Sequence, residues 1–216
     1  RSGEYEGFKN KIKDKKWIPD YGPSIFNSKS GVTAIGVRDF LIAFNVNLNT
    51  SNKKIASDIA LDIREQGRAK RDCDNKILRD SKGAIIKIPG TLKNVKAVGW
   101  YIDEYNQAQV SMNLINYKKT SMHEAFDEVV RQASKRGLRV TGSEIVGLLP
   151  KEAILDSGKY FLKKQNSSIG IPDKDIILSA IQSLGFYDLS VFDSKKSIIE
   201  EALNIFKITE KMIENT

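Results

Sequence analysis

The chain has 216 residues, 40% of them hydrophobic, and carries 35 Lys and Arg against 27 Asp and Glu. That size and apolar content suit one large domain with appendages and argue against disorder, and the net charge of +8 favours anionic partners without choosing among them. One cysteine, Cys73, excludes an internal disulfide and a cysteine-rich zinc site, and no apolar run approaches the roughly 20 residues that span a bilayer.

The opening residues, Arg1-Ser-Gly-Glu-Tyr, have the pattern of neither a signal nor a transit peptide, and a reducing, cytoplasmic setting fits the lone thiol. An amphipathic stretch over Phe8–Trp17 leads into Pro19-Asp-Tyr-Gly-Pro-Ser24, a turn-rich loop. The run Phe40–Leu48 then alternates as a strand does: Phe40, Ile42, Phe44, Val46 and Leu48 on one side, Ala43, Asn45 and Asn47 on the other. Its polar side carries amides instead of the Lys and Glu of an ordinary wet face. Uncharged donors and acceptors in a row suit a surface that meets a ligand or another domain.

Asn49-Thr-Ser-Asn52 offers helix caps, and Ile55, Ala56, Ile59, Ala60 and Ile63 follow at helical spacing up to a stop at Gly67. Residues 68–93 break the pattern with eight basic and three acidic residues, and Asp80-Ser-Lys-Gly83 predicts a short hairpin between Lys76–Arg79 and Ala84–Ile88. Two strands follow, Val95–Glu104 and Gln107–Tyr117. The first sets Val98, Trp100 and Ile102 against Ala97, Gly99 and Tyr101; the second sets Ala108, Val110, Met112 and Leu114 against Gln107, Gln109, Ser111 and Asn113. Ser121-Met-His-Glu124 is a capping box, opening a helix with the stripe Met122, Ala125, Phe126, Val129, Val130, Ala133. Arg139–Leu149 reads as the last strand, closed by Pro150. Helices are then predicted over Lys151–Gln165, Asp173–Leu184 and Lys195–Ile213, and no internal repeat stands out.

Strand, helix, strand, strand, helix, strand over residues 40–149 is the order of the ferredoxin-like split β-α-β arrangement, an α+β (α/β) fold with two helices covering one face of an antiparallel sheet. The C-terminal helices are additional. With the apolar halves of the strands under the helices, the open face shows Asn45, Asn47, Gln107, Gln109, Ser111, Asn113, Thr141 and Ser143.

Gly31-Val-Thr-Ala-Ile-Gly-Val-Arg-Asp-Phe-Leu-Ile-Ala-Phe-Asn-Val-Asn-Leu48 resembles the start of the C-terminal subdomain of glutamate formimidoyltransferase. So do Ile63-Arg-Glu-Gln-Gly-Arg68, Val98-Gly-Trp-Tyr101 and Gly142-Ser-Glu-Ile-Val-Gly-Leu148, while Arg1-Ser-Gly-Glu-Tyr-Glu6 resembles the motif joining that family's two subdomains. The resemblance implies an end of the N-terminal subdomain over residues 1–30, a C-terminal subdomain over 31–150 with 68–93 as a basic insertion, and a helical extension over 151–216 on the same domain. It also implies transfer of a formimino group from N-formimino-L-glutamate to tetrahydrofolate, a step of histidine breakdown, in a tunnel between the two subdomains. Tetrahydrofolate is then a co-substrate, and no metal is called for.

By the same resemblance the folate-contacting residues are Arg1, Gly3, Glu4, Tyr5, Glu6, Gly7 and Phe8. Those residue types suit folate binding, since an arginine can grip a carboxylate, glycines admit a close backbone, and aromatic rings pack on a pterin or benzoyl ring. Arg38, Asn45, Asn47, Arg64 and Arg68 are candidate rim or substrate contacts. The family's catalytic base is a histidine of the N-terminal subdomain, and nothing here matches it. His123, the one histidine, falls in the first turn of a helix, off its apolar stripe and one turn from Asp127, which makes it a neutral surface side chain. No catalytic residue is therefore assigned within the chain, and the fragment is expected to be inactive without the N-terminal subdomain or a companion chain that supplies it. A homodimer is left open. The alternative is a basic ferredoxin-like RNA-binding module, which would need exposed aromatics on the central strands where amides stand; neither nucleic acid nor membrane is expected as a partner.

Overall fold

A computed structural model describes residues 7–203, and the chain divides into two units, residues 1–38 and 39–216. The first unit replaces the expected amphipathic stretch with two short turns, α1 (Phe8–Lys11) and a 3₁₀ turn over Lys15–Trp17, the latter capped by the Asp14 carboxylate accepting from the Lys16 N–H at 3.0 Å. Phe8 and Trp17 meet edge-on at 6.5 Å, and the Lys11 ammonium lies 4.4 Å from the Trp17 ring centre. Phe8, Phe26 and Val32 line a small cavity of about 200 Å³.

The second unit contains β1 (Ile42–Leu48), α2 (Lys53–Ile63), β2 (Arg68–Ala69), β3 (Lys87–Ile88), β4 (Val95–Ile102), β5 (Gln107–Leu114), α3 (Met122–Ser134), β6 (Val140–Val146), α4 (Lys151–Lys164), α5 (Asp173–Leu184) and α6 (Ser194–Ser197). Its main sheet runs β4-β5-β1-β6, each neighbouring pair antiparallel, which is the ferredoxin-like order. Alternation built this sheet. Ile42, Phe44, Val46 and Leu48 of β1 and Ala108, Val110, Met112 and Leu114 of β5 are all within 1% of complete burial, and they pack with Ala56, Ile59, Ala60 and Ile63 of α2 and with Met122, Ala125 and Val129 of α3. Asn52 caps α2 by accepting from the Lys54 N–H at 3.0 Å, and both halves of the Ser121/Glu124 capping box are formed at the start of α3.

Three strand assignments need correction. β1 begins at Ile42, and Phe40, expected on its core side, is 61% exposed. In β4 the helix-facing set is Ala97, Gly99 and Tyr101; the bulkier Val98, Trp100 and Ile102 lie on the amide side, opposite Ser111, Gln109 and Gln107. The cause is proximity, because a Cβ on Gly99 would overlap the α2 backbone at Ala56 and Ser57, so only glycine lets this helix lie so close to the strand. β6 carries an irregularity opposite Asn47/Leu48 that changes its parity. Ser143 consequently pairs with Val46 on the helix side, and Gly142 and Glu144 join Asn47 and Asn45 on the other. The strand also ends at Val146, before Gly147 at φ +88°, rather than continuing to Leu149.

The basic excursion between α2 and β4 contains a tandem repeat, although none stands out in the sequence alone. Arg71-Asp-Cys-Asp-Asn-Lys-Ile-Leu78 and Arg79-Asp-Ser-Lys-Gly-Ala-Ile-Ile86 form the same turn twice. In each, the aspartate carboxylate accepts a backbone N–H four residues on (Asp72 from Lys76 at 2.8 Å, Asp80 from Ala84 at 2.9 Å). The arginine donates to a carbonyl four residues on, Asn75 at 2.6 Å and Gly83 at 2.8 Å, and both of those residues have positive φ. Lys70, Leu78 and Ile86 close a ring of backbone hydrogen bonds: Lys70 N–H to Ile86, Leu78 N–H to Lys70 and Ile86 N–H to Leu78. The expected turn at Asp80–Gly83 is present, but its arms belong to this three-way junction rather than to a simple hairpin.

The C-terminal helices join the core on the helix side. Ile154, Ile177, Ile181, Leu184, Phe186 and Ile198 belong to the core cluster, and Phe186 meets Phe44 edge-on at 6.3 Å. The long helix expected from Lys195 is interrupted at Ile198, which is extended and bridges Leu149; its continuation past residue 203 lies outside the described residues.

Candidate functional site

The sheet face turned away from α2 and α3 carries a continuous hydrogen-bonded array. On edge strand β4, the Trp100 indole N–H donates to Gln109 Oε1 at 2.9 Å. Gln109 Nε2 on β5 donates to Asn47 Oδ1 at 2.6 Å and to Glu144 Oε1 at 3.0 Å. Asn45 Nδ2 on β1 reaches the same Glu144 oxygen at 3.0 Å, and Asn47 Nδ2 donates to Asp188 Oδ2 at 2.7 Å. Thr141 of β6 donates its hydroxyl to Asp188 at 2.7 Å and accepts from Gln107 at 3.2 Å. The array therefore crosses all four strands.

Antiparallel register explains why these groups meet. Val98, Ser111, Asn45 and Glu144 form one row across the sheet, and Trp100, Gln109, Asn47 and Gly142 form the next. Directly opposite residues sit about 4.5–5.5 Å apart at Cβ, within reach for an amide bonding its neighbour. Asn47 and Gln109 have no exposed surface, and Asn45 has 2%. Each of these amides thus has a side-chain partner within the array, Gln109 and Asn47 in one another and Asn45 in the Glu144 carboxylate, as buried polar groups must. Flanking them are half-exposed apolar side chains: Trp100 at 42%, Val98 at 57% and Val146 at 57%.

Asp188 reaches this face because the turn after α5 wraps the free edge of β6. Gly185 (φ +66°) ends α5, its carbonyl accepts the Ser143 N–H at 3.1 Å, and the Ser143 hydroxyl donates to the Leu184 carbonyl at 2.6 Å. Gly142 makes room, since a Cβ there would stand 2.5 Å from the Gly185 oxygen and against the Asp188 side chain. Among the described residues of the trailing segments, Asp188 alone is bonded into the array, and the C-terminal helices pack on the other side of the sheet.

The predicted contacts divide. Asn45 and Asn47 sit at the centre of the array. Arg64 and Arg68 lie in the helix layer on the opposite side: Arg64 caps α2 and donates to the Gly67 carbonyl at 3.0 Å, while Arg68 pairs with Asp62 at 2.6 Å and donates to the Asp58 carbonyl at 2.7 Å. With Arg71 they line a surface cleft of about 570 Å³ beside Leu61 and Ile88. Arg38 closes the first unit, and Gly7 and Phe8 begin its α1; Arg1, Gly3, Glu4, Tyr5 and Glu6 lie outside the described residues. Trp100, Glu144, Gly142 and Asp188 complete the face and were not singled out from the sequence. Gly99 was the available signal for Trp100, because a mid-strand glycine marks the side on which another backbone approaches.

His123 belongs to the helix layer. Its ring stacks on Tyr160 of α4 at 4.3 Å between centres, with Nε2 2.9 Å from the Ser121 hydroxyl and Nδ1 3.3 Å from the Ser157 hydroxyl. Asp127, its expected neighbour, is instead bonded by Tyr160 at 2.6 Å and Lys164 at 2.8 Å. Burial lowers the imidazole's pKa, against the opposing pull of the Glu124, Asp156 and Asp127 carboxylates. The histidine is a pin between two helices, neutral as anticipated but not a free surface group.

Residues 43–204 match the formiminotransferase domain, and residues 1–38 match the N-terminal subdomain of that domain. A formimidoyltransferase-cyclodeaminase of Dictyostelium discoideum is 46% identical over 200 residues, covering 93% of this chain and 34% of the relative. The protein of that name from Sus scrofa is 42% identical over the same shares. A glutamate formimidoyltransferase of Thermoplasma acidophilum is 41% identical over 160 residues, 74% of this chain and 45% of the relative. The chain thus spans a third to a half of the length of these relatives. By its sequence and by the sheet described above, the chain belongs to the formiminotransferase domain family.

Proposed function

We propose that this chain is the C-terminal part of a glutamate formimidoyltransferase, and that the amide face of its sheet lines the cleft in which tetrahydrofolate receives a formimino group. The observation that carries this reading is the hydrogen-bonded array from Trp100 to Thr141, in which buried amides tied to the Glu144 and Asp188 carboxylates support a face that leaves Trp100, Val98, Ser111, Asn113 and Thr141 accessible. Folates are flat conjugated rings with hydrogen-bonding edges, and such a surface meets both properties.

In the reaction the folate N5 bonds to the formimino carbon of N-formimino-L-glutamate. The carbon–nitrogen bond to glutamate then breaks, and the proton lost from N5 is balanced by one delivered to the departing amine. This chain's part is to bind, orient and exclude water. His123, its one imidazole, sits among helices on the far side of the sheet, so the proton acceptor comes from the companion N-terminal subdomain. Arg1, Gly3, Glu4, Tyr5, Glu6, Gly7 and Phe8 would contact the folate, and Arg38 would serve at the rim. Arg64 and Arg68 would act only at a distance, by drawing in an anionic tail. The protein would work in the cytoplasm. The nucleic-acid alternative calls for aromatic rings on the two central strands, where β1 and β5 present amides and Ser111.

Formimino transfer measured for this chain alone and for the protein carrying both subdomains tests the reading. The two-subdomain protein should be active, and the chain alone should fall short by at least the roughly 10²–10⁴-fold that general acid–base assistance contributes. Equal rates for the two would refute the division of labour. No transfer by either would refute the assignment.

A further inference from the structure

We infer that Trp100 is a stacking platform for the conjugated ring system of the folate, a role that rests on the functional reading above. The inference begins with an inversion of the usual pattern. A tryptophan on a sheet with an apolar core on one side is normally turned into that core, but Gly99 takes the helix-facing position and puts Trp100 on the amide side. There the indole remains 42% exposed.

The ring is nevertheless held in place. Its N–H is fixed to Gln109 at 2.9 Å, and Gln109 is fully buried and itself bonded to Asn47 and Glu144. A large aromatic surface that is exposed and yet oriented by a buried polar chain gains little from folding alone. It is preorganised to receive a flat partner, which lowers the ordering cost of binding. The neighbouring groups define that partner. Val98 extends the apolar strip along β4, and the adjoining strands leave Ser111, Asn113 and the partly exposed Glu144 carboxylate accessible for the donors and acceptors along a heteroaromatic edge. A planar, nitrogen-rich, conjugated ring with polar edges fits; an aliphatic amino acid such as the formimino donor leaves the indole unused.

The two-subdomain protein labelled with 5-fluorotryptophan, titrated with 5-methyltetrahydrofolate as a stable reduced folate, tests the inference. The ¹⁹F resonance missing from Trp100→Phe belongs to Trp100, and it should move on saturation. Trp100→Leu should bind the folate about 10-fold more weakly by calorimetry, the scale of one lost aromatic stacking contact. Trp100→Phe should recover most of that loss, and the KM for the formimino donor should stay unchanged in both variants. If the folate binds with measurable heat while the Trp100 resonance stays still and Trp100→Leu binds normally, the platform is overturned and the functional reading stands. If the unsubstituted protein binds no folate, both fall together.

Discussion

Replacing Gln109 by Met tests whether the amide array is a dry, mutually satisfied structure or merely a wet surface. Methionine nearly matches glutamine in volume, so the change removes three side-chain hydrogen bonds with little cavity cost. Their losses differ. Trp100 is partly exposed and Glu144 keeps its bond from Asn45, so water or a remaining partner covers both. Asn47 Oδ1 has neither remedy, because Gln109 supplies its side-chain donor and the residue has no exposed surface. An orphaned buried acceptor costs about 1–3 kcal/mol. A loss of about 2 kcal/mol corresponds to a fall of roughly 4–8 °C in melting temperature for a chain of this size. Urea unfolding of the isolated chain gives the number directly. Adding Asn47→Leu removes the orphan itself, so the double variant should be less destabilised than the sum of the singles, by about 1 kcal/mol. Stability of Gln109→Met within about 0.5 kcal/mol of the parent, as for an ordinary surface exchange, would show that water already serves these groups.

Gly99→Ala should be more damaging than its single methyl suggests, because the new carbon meets α2 backbone and the helix must lift; a cost of about 2–3 kcal/mol in chemical denaturation is expected, and a neutral result would refute the close packing. Gly142→Ala should push the turn at Gly185–Asp188 off the β6 edge, so the Ser143 amide, bonded to Gly185 at 3.1 Å, should exchange with deuterium faster; unchanged protection would refute the wrapped edge. His123 has a folded pKa below its ordinary 6.5, so the unfolded chain takes up the proton first as pH falls. Its contribution is complete above about pH 6.5 and declines as pH drops from there toward the folded pKa. Thermal melts from pH 7.5 downward should show that decline, and His123→Phe should flatten it; an equal slope in the variant would remove the pin.

Where a local rule and the tertiary packing agreed, the sequence was legible. Strict alternation located β1 and β5 and gave the faces of Ile42–Leu48 and Gln107–Leu114, though it ran past the start of the first and the end of the second, and the Ser121/Glu124 pattern gave the start of α3 to the residue. The order of elements then sufficed for the ferredoxin-like topology. Errors arose where a non-local contact overrode a residue's own preference. Hydrophobicity assigns Trp100 to the core, yet the helix three elements earlier in the chain claims that side and tolerates only Gly99. Periodicity cannot detect an inserted residue, so the irregular pairing in β6 moved Ser143 to the opposite face. Asp188 joins the array through a turn more than forty residues after Thr141 in the chain, and no short-range pattern announces such a contact. Of the expected site, Asn45 and Asn47 came together, while Arg64 and Arg68 were drawn into pairing around α2.

The ring formed by Lys70, Leu78 and Ile86 bears on how this protein can change. Each turn leaves the chain close to where it started, so gaining or losing a whole unit alters the girth of the excursion without shifting the strands it joins. Insertions and deletions of that length should be absorbed with little strain, and the tip of either unit is a natural place to splice in a foreign peptide.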